Sequence, residues 1–147
     1  MNYYLLKSEP DVYSIDDLKR DKKTHWNGVR NYQARNTLRT CKKGDLVLIY
    51  HSNDDRAVVG VGEVSKEAYP DVDPKKPGDW VQIEVKFSQK LTTPVTLQQI
   101  KTISALKNIP LLKQSRLSCM QVSKAEFDTI LKLGQSFRNY RKQEVLP

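Results

Sequence analysis

Aromatic side chains stand next to polar and charged ones at three points in the sequence. Tyr4 precedes Lys7-Ser8-Glu9, Trp26 precedes Arg30-Asn31-Tyr32, and Tyr50 precedes His51-Ser52. These residue types together suit the capture of a flat heteroaromatic ligand: rings stack on its faces, while amides, hydroxyls and charges meet its polar edge. Stacking of this kind contributes about 1–3 kcal/mol per base. Covalent chemistry is less well provided for. There is no G-x-S-x-G elbow and no P-loop, and "GVGEVS" (60–65) lacks the third glycine of a dinucleotide fingerprint and lies inside a strand-like run. His25 and His51 have no cysteine or paired carboxylate at a recognisable spacing, and a Ser8/His51 nucleophile pair has nothing else to support it. Cys41 and Cys119 lie far apart, in no metal-ligand spacing. They are expected to be free thiols in a reducing compartment, with no metal and no cofactor. The residues point to a binder rather than an enzyme.

The elements that must hold these groups can be traced along the chain. Tyr3–Lys7 has the aromatic and apolar content of a strand, ended by Pro10. Ser14 and Asp17 form a capping-box variant ahead of a short helix, Ile15–Arg20. The basic stretch "THWNGVRNYQARNTLRT" (Thr24–Thr40) divides into a loop around Trp26 and a helix over Asn31–Cys41, where Ala34 and Leu38 are four residues apart. "DLVLIYH" (Asp45–His51) predicts a central strand, and Ala57–Tyr69 a second, whose Gly60 and Gly62 suggest a bulge or a close approach. Trp80–Leu91 alternates from Val81 to Phe87 like a half-buried antiparallel strand. Thr96 caps a helix over Leu97–Thr102, Leu111–Gln114 predicts a helical turn, and "SRLSCMQV" a last extended segment. Ser123 with Glu126 caps a helix over Lys124–Leu133, stopped by Gly134. Strands joined by short helices without a βαβ rhythm predict an α+β fold with a small curved sheet or barrel. One domain over 1–134 and a basic tail over 135–147 are expected.

Charge narrows the class of partner. The 147 residues carry a formal net charge of +8, divided as +5 over 1–43, −3 over 44–100 and +6 over 101–147. Basic ends around an acidic middle make one positive face if the ends meet in space, and such a face attracts nucleic acid. "MNYYLLKSEP" has no basic n-region, and no run approaches the ~20 apolar residues of a membrane span. A soluble, intracellular monomer with no membrane partner is expected.

Taken together, "YLLKSEPDVYSIDDL", "WNGVRNYQARNTLR", "KGDLVLIYHS" and "VGVGEV" resemble the EVE domain family of the PUA-like group, as does the order of "WVQIEVKF", "PVTLQQIK" and "LLKQSRLSCMQVSKAEFDTIL". The resemblance extends to about Leu133. It implies a small mixed β-barrel of five or six strands flanked by short helices. It also implies a non-enzymatic reader of modified bases, such as 5-methylcytosine or 5-hydroxymethylcytosine in DNA, or a modified base in RNA. The base would be flipped into an aromatic pocket, in the cytoplasm, at a bacterial nucleoid, or in a nucleus if the source is eukaryotic. The alternative is a protein that binds a free nucleobase or nucleoside, alone or as an accessory enzyme subunit.

Carried over residue by residue, the family pattern puts Lys7, Ser8 and Glu9 at the pocket mouth and makes Trp26 the stacking platform. Val29, Arg30, Asn31 and Tyr32 belong to the same motif, with Asn31 as edge reader and Arg30 as a phosphate or structural contact. His51 and Ser52 end a strand at the pocket, and Arg116, Leu117 and Ser118 close its far wall. Arg35 and Arg39 are phosphate candidates by charge alone. Two departures stand out: Tyr4 occupies a position where tryptophan is common, and the loop between Tyr69 and Trp80 is shorter than in many members.

Overall fold

In a computed structural model, residues 1–135 are described; the expected basic tail lies, beyond Gln135, outside them. The core is a six-stranded mixed sheet in the order β2-β5-β4-β3-β1-β6. The strands are β1 (Tyr3–Ser8), β2 (Lys23–Trp26), β3 (Leu46–His51), β4 (Ala57–Pro70), β5 (Val81–Thr96) and β6 (Cys119–Val122). β1 runs parallel to β3, and every other neighbouring pair is antiparallel. The helices are α1 (Ile15–Asp21), α2 (Tyr32–Leu38), α3 (Leu97–Thr102), α4 (Pro110–Lys113) and α5 (Lys124–Gly134), with a 3-10 turn at Ser104–Leu106. Among the described residues no helix is long and apolar enough to cross a membrane.

The local rules read from the sequence are visible as contacts. Ser14 and Ser123 each complete a reciprocal capping box, with Asp17 and Glu126, and Thr96 accepts from the Gln99 N–H. The central strand is buried along nearly all its length, as its apolar run requires. β5 keeps Ile83 and Val85 inside while Lys86 faces out. Two elements were not predicted: the 3-10 turn, and β2, four residues of largely polar sequence that become a strand only by pairing with β5, from Lys23 opposite Lys86 to Trp26 opposite Ile83.

The barrel implied by resemblance is present as a curled, open sheet. No ladder joins β2 to β6 among the described residues. Helix α2 instead packs against both β5 and β6 and fills the seam. Its buried Ala34 and Leu38 form that inner face. The sheet's bends fall on β4, whose register against β5 shifts between Val58 and Gly60 and again between Val61 and Gly62.

Gly60 also makes room for α1. A Cβ there would enter the Ile15 side chain and come within 2.9 Å of the Gln89 carbonyl oxygen. The Ile15 N–H donates to His51 Nε2 at 3.0 Å, and the opposite ring nitrogen, Nδ1–H, donates to Asp55 at 3.0 Å. His51 is thereby held as one tautomer and ties α1 to the end of β3.

A second tether holds the loop between β4 and β5. Asp71 Oδ2 accepts from the Gly28 N–H at 2.8 Å and from Arg30 Nη1 at 2.9 Å. Gly28 takes φ +80°, a conformation that favours glycine. Asp79, at the other end of the loop, accepts from Arg35 at 2.7 Å and Arg39 at 2.8 Å. The Tyr32 ring stacks on Trp80, with centroids 5.1 Å apart, and the Arg35 guanidinium lies 5.0 Å from the Tyr32 centroid. Both cysteines are buried and free; burial pushes the Cys41 thiol up to about 12 and the Cys119 thiol well above its ordinary range.

Two substitutions test these constraints. Gly60→Ala should destabilise by about 2 kcal/mol, the usual scale of overpacking, and lower the melting temperature; an unchanged transition would show that α1 does not need this space. Asp71 is the second. The Arg30 hydrogen bond, first among its causes, holds the Asp71 carboxyl below its ordinary value of 3.8. A lowered folded pKa means the stabilisation is complete above about pH 4 and is lost as pH falls through the folded value. Asp71→Asn should therefore cost about 1–2 kcal/mol at neutral pH, and its gap from the wild type should narrow in acid. Urea unfolding at neutral pH and again in acid measures both, and a constant gap would exclude the carboxylate as the cause.

Candidate nucleic-acid interface

Sheet pairing brings three of the sequence motifs to one end of the molecule. Parallel pairing sets Lys7 beside Tyr50 and Ser8 beside His51. The Ser52 N–H donates to the Ser8 carbonyl, and the Lys7 N–H to the Ser118 carbonyl, both at 2.9 Å. β1 lies next to one edge of the sheet and β2 forms the other, yet the curl puts their ends on a single cleft of about 490 Å³. That volume is in the range of small-ligand sites, roughly 300–1,000 Å³.

Lys7, Ser8, Glu9 and Trp26 line this cleft, together with Val12, Tyr13, Thr24, His25, Asn27 and Gly28. It thus has three rings, Tyr13, His25 and Trp26, and a fringe of polar groups. Tyr13 donates its hydroxyl to Asp21 at 2.9 Å, and His25 Nδ1 meets the Tyr69 hydroxyl, so two of the rings are braced from outside. Ser8 Oγ donates to the Tyr13 carbonyl and fixes the turn between Glu9 and α1. Lys7 Nζ donates to the Ser115 carbonyl at 2.7 Å and lies 5.8 Å from the Tyr50 ring centroid. Burial lowers the pKa of this ammonium from the ordinary lysine value. By contrast, the side chains of Glu9 and Asn27 make no hydrogen bond or ion pair among the described residues and stand exposed at the cleft.

Trp26 belongs to two places at once. It is 9% exposed and part of the hydrophobic core, and it lines the cleft. Truncating it removes core packing worth about 3–5 kcal/mol, so an alanine there reports on folding as much as on binding.

The other sequence-predicted residues are placed elsewhere. Val29 is buried in the core. Arg30 is half-buried, paired with Asp71, and its guanidinium lies 5.5 Å from the Trp80 centroid. Asn31, the expected edge reader, is the N-cap of α2: its Oδ1 accepts from the Ala34 N–H at 2.9 Å, which engages the carbonyl half of its amide in capping. Tyr32 is exposed and stacked on Trp80, away from the cleft lining. The His51 ring is turned toward Ile15 and Asp55. Ser52 and Ser118 contribute backbone pairing to β1. Arg116 and Leu117 line a second, shallower hollow of about 370 Å³, which they share with Asn31, Gln33, Lys113, Gln114 and Ser115. Arg35 and Arg39 are both bound to Asp79.

Sequence reasoning missed Tyr13, Thr24, His25 and Asn27 as cleft residues. Tyr13 is inside a quoted motif, and Thr24 and His25 flank Trp26 in a segment read as loop. The pairing of β2 with β5 is what places Thr24 and His25 beside the cleft.

Comparison with known proteins agrees with this architecture. The EVE domain family pattern matches residues 2–133. Mouse thymocyte nuclear protein 1 is 36% identical over 92% of this chain and 74% of its own length. A solved protein from Rhodopseudomonas palustris is 36% identical with a TM-score of 0.84, covering 91% of this chain and 93% of its own. Human THYN1, solved in complex with 5-methylcytosine-containing DNA, is 33% identical with a TM-score of 0.84, covering 92% of this chain and 99% of its own. With the family pattern running through all six strands and its relatives superposing over nine-tenths of the chain, this protein belongs to the EVE domain family.

Proposed function

We propose that this protein is a non-enzymatic reader of modified cytosine in DNA, taking the flipped base into the cleft between Glu9, Lys7 and Trp26. The observation that carries the reading is the kinship with human THYN1, whose structure holds DNA containing 5-methylcytosine. The chemistry of the cleft supports it. Cytosine presents an amino donor beside ring acceptors on its pairing edge, and a carboxylate is the usual partner of that amino group. Glu9 supplies an unpaired carboxylate, while Asn27 and Lys7 supply donors. Tyr13, His25 and Trp26 supply the rings for the base faces. Extrusion of a base costs a few kcal/mol, which stacking and edge contacts must offset. For a eukaryotic source, the relatives' nuclear name suits a DNA ligand.

No step of this function needs a nucleophile. His51 is bound on both ring nitrogens, and the cysteine thiols are buried with raised pKa values.

The methyl group itself adds roughly 0.8 kcal/mol when buried, about a fourfold preference in affinity. Fluorescence anisotropy with paired duplexes, one holding a single 5-methylcytosine and one holding cytosine, should show a preference of that order. Glu9→Ala should weaken binding of the modified duplex about tenfold, and Glu9→Gln, which keeps an acceptor, should recover part of the loss. Glu9 is exposed, so the melting temperature should not move. Equal affinity of the wild type for the two duplexes would sink the reader assignment.

A further inference from the structure

The distribution of paired and unpaired cations locates where a nucleic-acid backbone would lie. Near α2 the arginines are already engaged: Arg30 with Asp71, and Arg35 and Arg39 with Asp79. The Arg35 side chain is only 13% exposed and is enclosed by the Tyr32 and Trp80 rings. A phosphate arriving there would have to displace a carboxylate already held by two guanidinium groups.

The second hollow is different. Lys113 and Arg116 on its rim have no ion-pair or hydrogen-bond partner among the described residues, and none of its lining residues is acidic. Neutral donors stand beside the two cations. Gln33 and Gln114 make no side-chain hydrogen bond there, and Asn31 keeps its amide NH₂ free because only its carbonyl caps the helix. The hollow also adjoins the cleft. Lys7 lines the cleft, and its ammonium is bound to the carbonyl of Ser115, which lines the hollow.

We propose that this hollow seats the phosphodiester of a nucleotide flanking the base in the cleft, with Lys113 and Arg116 as its charged contacts. The inference rests on the reading of the protein as a nucleic-acid binder, and it moves the backbone contact from Arg35 and Arg39 to the far rim. The separation is physical. Phosphate contacts set affinity and its salt dependence, whereas base contacts set discrimination.

The test is a salt titration of DNA binding, from about 50 to 200 mM, with methylated and unmethylated duplexes. The proteins are the full-length wild type, Lys113→Ala/Arg116→Ala, Arg35→Ala/Arg39→Ala, and a charge-matched control, Lys101→Ala/Lys107→Ala. Each lost phosphate contact should reduce the slope of log affinity against log salt by about 0.9. The 113/116 variant should therefore lose nearly 2 from its slope, keep the wild-type ratio between the duplexes, and retain its melting temperature, while the control keeps the wild-type slope. A wild-type slope in the 113/116 variant, or a loss that follows the 35/39 variant instead, overturns the proposal. A wild type without preference for the methylated duplex would instead count against the reader assignment, a result the slopes do not touch.

Discussion

The curl of one sheet is the constraint on which the cleft depends. β2 and β6 are the two edges, and no ladder joins them, yet residues from β2 and from the end of β1 face each other across a few side chains. The closure is made by packing: α2 bridges β5 and β6, and the glycine-bearing bulges of β4 let the strands turn. Gly60 adds the space in which Ile15 seats α1, and Asp21 of α1 holds the Tyr13 hydroxyl beside the cleft. Flatten the sheet, and Trp26 and Glu9 no longer line one cleft.

Polar tethers complete what packing begins. His51 ties α1 to β3, and Asp71 ties the loop after β4 to the turn after Trp26. Each includes a hydrogen bond from a backbone N–H group to a side chain distant in sequence. Residues that the family pattern singles out therefore divide into two sets. Lys7, Ser8, Glu9 and Trp26 meet the cleft, while Arg30 and His51 hold the elements that shape it. A charged partner held at 2.9 Å, with both side chains largely buried, makes Arg30 a fixture of the fold.

Much of this was legible in the sequence because the rules concerned are local. Capping boxes at Ser14 and Ser123, the Thr96 cap, the apolar run of β3 and the alternation of β5 depend on neighbours a few residues apart. The resemblance to the EVE family added the pairing of distant motifs. What stayed hidden depends on contacts across long separations. Lys23–Trp26 is a strand only because β5 pairs with it, and the cleft roles of Thr24 and His25 follow from that. Asn31 looked like an edge reader because its type suits that task equally well; its position one residue before α2 makes it a cap. Arg35 and Arg39 looked like free charge because Asp79 lies 40 or more residues away.

The central claim, capture of a modified cytosine beside Trp26, is tested most directly by where the modified group sits in the complex. A duplex with a single ¹³C-methyl-labelled 5-methylcytosine, bound to this protein, should show intermolecular nuclear Overhauser effects from that methyl to protons of Trp26, Tyr13 or His25, and should lose those to its stacked neighbours in the duplex. A methyl that keeps its duplex contacts and shows none to the cleft, with DNA fully bound, would contradict base capture at this site.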